Sequence, residues 1–142
     1  GSIAFFPNNE PHCRYEPDGS IQPARADASL EYARAQEEKL IEFVRGADVL
    51  VLDAQYDRAE YVRHVGWGHG CVDDVVALAM RADVKQLFLF HHDPDHDDAK
   101  VESMLTHARR LVAAQNSPMV VNASCEGESV KLADISRPVV AK

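Results

Sequence analysis

The sequence contains no Cys-x-x-Cys pair, and its three cysteines, Cys13, Cys71 and Cys125, are scattered and odd in number. A zinc knuckle or ribbon is therefore excluded, because such sites need closely spaced thiolates. Three unpaired thiols fit a reducing compartment, so the expected location is the cytoplasm. No run of about 18 apolar residues occurs, so no membrane-spanning helix is expected. No basic-then-apolar leader opens the chain. Gly1-Ser2 reads as a scar of tag cleavage, and the expectation is that the natural start lies upstream and the chain is a fragment. Basic residues are in deficit: 15 Lys and Arg stand against 23 Asp and Glu, a net charge of −8. That excludes an extended nucleic-acid surface, which needs clustered cations to displace phosphate counterions. It leaves room for a small phosphate pocket.

What is present describes one folded domain: 142 residues, 46% hydrophobic and 27% charged. Ile3–Phe6 reads as a short strand stopped by Pro7. Residues 11–29, rich in Pro, Gly and Asp, read as a long loop in which Arg14 and Arg25 are solvated. Apolar residues at helical spacing predict a helix over Leu30–Arg45, stopped by Gly46. Val49–Leu52 is a continuous apolar run suited to a strand covered on both faces, ending at Asp53. A second helix is expected over Val72–Ala82, with Asp73 and Asp74 favoured by its dipole. A second covered strand, Gln86–Phe90, ends at His91. A helix capped by Asp97 or Asp98 then runs to about Gln115. Two short strands, Met119–Asn122 and Ser129–Leu132, close the pattern. Strands alternating with helices indicate an α/β layer.

The chemistry-bearing residues gather where strands end, the usual ligand edge of α/β folds. Asp53 ends one strand and His91 the next, while His69 lies in the turn Gly66-Trp67-Gly68-His69-Gly70. A histidine there can ligate a metal or move a proton. Asp53 can fix the tautomer of His69. The stretch from His91 to Asp98 holds seven potential ligands in eight residues. Neighbouring side chains of an extended chain diverge, so few of these can share one metal. Asp95, His96 and Asp98 read as surface residues.

Three segments carry a resemblance: Gly46–Tyr56, Gly66-Trp67-Gly68-His69, and Leu89-Phe90-His91-His92-Asp93-Pro94. Together they resemble the metallo-β-lactamase fold, in its ribonuclease Z-like and phosphodiesterase-like branch. The resemblance implies half of an αββα sandwich: residues 3–142 as the C-terminal half, one mixed sheet with helices on one face. It implies a metal-dependent, phosphodiester-directed hydrolase using zinc or manganese. His91 matches a metal ligand, His69 a residue assisting the leaving group, and Asp53 its orienting partner. Asn8, in Phe5–Pro11, takes the place of an Asp that bridges two metals. The His-x-His-x-Asp-His segment of the family is absent, and Gly70-Cys71 replaces its Ser-Thr. The chain is thus expected to be incomplete and inactive alone. Its inner sheet face should be covered by self-association, a domain swap or a separate N-terminal half. The alternative is a non-catalytic binding or regulatory module of the same fold.

Overall fold

The computed structural model describes residues 1–16, 18 and 20–132. The sequence expectations for residues 133–142 lie outside the described residues. Four strands form the main sheet: β1 (Ile3–Phe6), β4 (Val49–Asp53), β5 (Gln86–Phe90) and β6 (Val120–Ala123), hydrogen-bonded in that order. Between β1 and β4 lie a small hairpin, β2 (Cys13–Tyr15) with β3 (Ile21–Pro23), and helix α1 (Leu30–Val44). A four-residue helix α2 (Arg58–Tyr61) and helix α3 (Val72–Arg81) connect β4 to β5, and α4 (Asp98–Ala114) connects β5 to β6. Among the described residues no helix is long and apolar enough to cross a membrane.

All three strand pairings are parallel, with Phe6, Leu52, Leu89 and Ala123 in register. A mixed sheet is the sequence expectation, and the structure corrects it. The expected returning strand, Ser129–Leu132, does not form. Gly127 takes φ +84° and turns the chain off the sheet edge. Val130 and Leu132 then lie against the sheet face beside Ile3, Val49, Val51 and Phe88 instead of pairing with a strand. The loop expected over residues 11–29 also contains structure, the β2–β3 hairpin.

A strand points alternate residues to opposite faces. Leu50, Leu52, Leu87, Leu89 and Val121 face the helices and form one core with Ile41 and Val44 of α1, Val75, Val76 and Ala79 of α3, and Leu105 and Ala108 of α4. Each fully buried Leu or Val contributes roughly 1.5–3 kcal/mol. The other face carries Ile3, Phe5, Val51, Phe88, Phe90 and Val120. Among the described residues no helix covers it, and Ile3 and Phe5 remain 63% and 55% exposed. Helices thus cover one face, as the sequence leads one to expect, while the second apolar face is only partly sheltered by Ser124–Leu132.

The hairpin is held by side chains more than by its own ladder. Buried Glu37 of α1 accepts from Cys13 N at 3.0 Å and from the Tyr15 hydroxyl at 2.6 Å. Buried Asp74 of α3 accepts from Tyr15 N at 2.8 Å and from both terminal nitrogens of Arg58 at 2.7 and 3.1 Å. Arg58 in turn donates to the Tyr15 carbonyl. Asp74 therefore does more than complement a helix dipole; it joins α2, α3 and the hairpin.

Candidate metal and proton-transfer site

A parallel sheet brings the carboxyl ends of its strands to one edge. Asp53 pairs with Phe90 in register, so His91, the next residue, lies beside it. His69 reaches the same edge through the turn that leads into α3. The ligand atoms of Asp53, His69 and His91 all lie within 4.8 Å of one another. The structure thus brings together three of the four residues singled out by sequence. Asn8 follows β1 at the same edge and lines an adjoining groove with Gly66 and Gly68.

Asp53 is fully buried, and its carboxylate accepts from three donors. Oδ2 accepts from His69 Nδ1 at 2.7 Å. Oδ1 accepts from Gly70 N at 3.0 Å and Gln55 N at 3.2 Å. The approach of Gly70 is so close that a Cβ there would lie 2.1 Å from the Asp53 carbonyl oxygen. Only glycine fits. The pairing fixes the proton of His69 on Nδ1 and leaves Nε2 with a lone pair.

His91 is oriented by a relay that the sequence does not advertise. Gln55 donates from Nε2 to Asp93 Oδ2 at 2.8 Å, which sets the direction of its amide. Its Oε1 then faces His91 Nδ1 at 3.2 Å and takes that proton. His91 is thereby also left with a free Nε2. Its backbone takes φ +61°, uncommon for a residue with a side chain. The two imidazoles stack, with centroids 4.7 Å apart and planes 10° from parallel.

The turn carrying His69 is itself clamped. Glu10 accepts from Gly66 N at 2.8 Å and Gly68 N at 3.0 Å, and from the buried Tyr61 hydroxyl at 2.5 Å. Gly66 and Gly68 take φ +84° and +91° to meet it. Sequence reasoning counts Asp93 among the potential ligands of His91–Asp98 without giving it this role, and it assigns none to Glu10 or Gln55. The proximity of Glu10 to Asn8 was the one available signal.

The remaining candidates sort differently. Asp95 and Asp98 are exposed, as expected. His96 is not the surface residue expected: its side chain is buried and bonds Glu60 at 3.1 Å, within a network that includes Lys100 and Asp57. It is turned inward because Lys100 neutralises the carboxylates it meets. His92 is half-buried, and burial lowers its pKa. Cys71 is fully buried and burial pushes its thiol far up, so it is no nucleophile. It caps α3 without a side-chain hydrogen bond.

The comparisons with known proteins bear on the fold. No family model matches the chain. Over 75 residues the chain is 36% identical to a ribonuclease Z from Sulfurisphaera tokodaii, covering 52% of this chain and 24% of that protein. Its fold matches the crystal structure of the metallo-β-lactamase fold protein YhfI from Bacillus subtilis, with TM-score 0.55 at 13% identity. That match covers 89% of this chain and 37% of the other. The chain thus spans about a quarter of the ribonuclease Z and little more than a third of the structural relative.

Proposed function

From a chain with the metallo-β-lactamase fold and a sequence kinship to ribonuclease Z, we propose the C-terminal part of a metal-dependent hydrolase directed at phosphodiesters. One observation carries the reading. Two stacked histidines present free Nε2 atoms side by side, each with Nδ1 committed to an orienting acceptor. His91 Nε2 suits a metal, since its relay through Gln55 and Asp93 is the outer support that metal-bound histidines require. A zinc or manganese ion held there by His91 would supply a water acidified enough to attack a phosphoester. His69 handles the proton at the leaving oxygen through Nε2, and Asp53 holds its ring and stabilises the charge it gains.

Residues 3–142 form the C-terminal half of such a domain and are inactive alone. A catalytic zinc needs about three protein ligands, and Asp53 is already engaged by His69, Gly70 and Gln55. Asn8 adds only a neutral amide where a carboxylate bridge is needed. The exposed apolar face calls for cover by a second copy, a swapped element or a separate N-terminal half. Purified alone with zinc or manganese, the chain is expected to leave bis(p-nitrophenyl) phosphate intact. The complete protein is expected to cleave it, and to lose that activity in H91A and H69A. Cleavage by the chain alone overturns the incompleteness. Metal-loaded complete protein without cleavage overturns the hydrolase. A monodisperse 15.7 kDa species at high concentration, by light scattering, overturns the need for cover.

A second reading is a non-catalytic binding or regulatory module. Asn8 in place of an Asp, and Cys71 in place of a hydroxyl, favour it. An upstream His-x-His-x-Asp-His segment decides for the enzyme, and a degraded one for the module.

A further inference from the structure

We propose that Glu10 is a positioning residue for His69: its carboxylate, held by Tyr61 of α2, ties the turn that carries the proton-handling histidine to the loop that carries Asn8. The proposal rests on the hydrolase reading above and adds to it the group that sets His69 in place. Three of the five residues Gly66–Gly70 are glycine, so this turn has much conformational freedom to lose and needs anchors. Asp53 anchors one side of it, through the His69 ring and Gly70 N. Glu10 anchors the other. The Tyr61 hydroxyl and Gly66 N donate to its Oε1 at 2.5 and 2.8 Å, and Gly68 N donates to its Oε2 at 3.0 Å. Gly66 and Gly68 take left-handed φ of +84° and +91°, and backbone N–H groups gathered in this way form a concavity suited to an anion. The chain supplies that anion itself, from 56 positions away.

The anchor is itself fixed. Tyr61 is buried among Tyr56, Val65 and Cys71, and its hydroxyl is aimed at Glu10. Burial, and then the Glu10 carboxylate, hold that hydroxyl far above the ordinary tyrosine pKa, so it stays a donor. The neighbouring Glu60 reaches the segment that follows His91: it accepts from His96 Nε2 and from Lys100 Nζ, both at 3.1 Å. Helix α2 therefore holds the loop after β1, the turn of His69 and the segment after β5 from one short frame. Glu10 is two residues from Asn8, a span of at most about 7 Å. Through it, any shift of that loop is felt at His69. A misplacement of about 1 Å at a reacting group can cost about 100-fold in rate.

The complete protein, loaded with zinc, is assayed on bis(p-nitrophenyl) phosphate as wild type, E10A, E10Q and Y61F. E10Q turns one carboxylate oxygen into a donor that faces a donor. Expected are losses in kcat of about 100-fold for E10A and about ten-fold for E10Q, with KM held within about two-fold. Y61F, which keeps the ring, should lose less than E10Q. Added acetate should restore part of the E10A rate and leave the wild type unchanged, since the groove lined by Asn8, Glu10, Gly66 and Gly68 opens onto the vacated place. An unchanged kcat in E10A, or a loss carried by KM, overturns the proposal. If E10A does not fold, the same split in E10Q and Y61F decides. The purified chain gives a readout without activity. By NMR, E10Q should speed amide exchange at Gly66 and Gly68 about ten-fold or more and broaden the His69 Nδ1 proton bonded to Asp53. The two readings fail separately. Cleavage indifferent to all three variants leaves the hydrolase and removes the positioning role. Without cleavage by the wild type the hydrolase falls, and the chain decides for Glu10: a broadened His69 proton supports its role, and an unchanged one overturns it.

Discussion

Asp53 and Asp74 are both buried carboxylates, and each accepts three hydrogen bonds. They differ in the partner that faces them. Asp74 meets Arg58, a permanent cation that only holds things together. Asp53 meets His69, a group that can gain and lose a proton. Around Asp74 converge α2, α3 and the hairpin. Around Asp53 converge the turn of Gly70, the backbone of Gln55 and a histidine stacked on a second histidine. Burial and a full hydrogen-bond set therefore do not distinguish a site from a scaffold. The chemistry of the partner does.

Removing Asp74 should have the larger effect on the fold. D74A leaves the Arg58 guanidinium and Tyr15 N without their acceptor, and is expected to cost about 3–5 kcal/mol in urea unfolding. D53N should cost less, roughly 1–3 kcal/mol, because no permanent charge is stranded. Its effect on phosphodiester cleavage by the complete protein should be far larger, on the order of 100-fold or more, because an amide no longer fixes the His69 proton on Nδ1. If D53N unfolds the protein as severely as D74A, or spares activity, the contrast between the two carboxylates is broken.

Two smaller tests sharpen it. Cys71 lies between the Gly70 that binds Asp53 and the helix that carries Asp74. C71S is expected to supply the missing cap of α3 and to stabilise by about 1 kcal/mol, read as a raised Tm. Equal or lower stability would show that burial at this position outweighs the cap. Glu37 gives the pH test. Burial raises its pKa above the usual carboxylate value. The native state then holds this proton more tightly than the unfolded chain does. Stability should fall as pH rises from about 4.5, the ordinary glutamate value, through the raised native value. Burial also pushes Asp74 up to about 6, which adds to the same slope. E37Q, whose amide can reproduce the bonds of the protonated acid, should flatten part of that slope while changing neutral-pH stability by about 1 kcal/mol or less. An unchanged slope in thermal melts between pH 4.5 and 7 would show that Glu37 is not its source.

How far the fold was legible depended on whether an element is made by local pattern. Strands β1, β4 and β5 and helices α1, α3 and α4 follow from apolar runs and helical spacing, and their ends fall within a residue or so of expectation. The hairpin is too short to show a period, and it is held by Glu37 and Asp74 from far along the chain. Helix α2 has four residues and a capping box, Asp57 with Glu60, that was overlooked. The expected strand Ser129–Leu132 had alternation but no free edge that it joined. In the site, Asp53, His69 and His91 could be named because strand ends and glycine turns mark them. The roles of Glu10, Gln55 and Asp93 could not, because each acts on groups distant in sequence or through a side-chain amide with no motif.

By itself the sequence determined the layer type, the strands whose ends carry polar groups, and the identity of three residues at one edge. Those follow from local periodicity and from the chemistry of single side chains. Only the tertiary structure decided that the main sheet is parallel throughout its described strands. Only it showed that Asp53 takes three hydrogen bonds, one of them from His69 Nδ1. It also set which nitrogen each histidine leaves free. Those outcomes depend on which distant groups pair inside a buried space, where every donor must find an acceptor, and that pairing is a property of the packed chain.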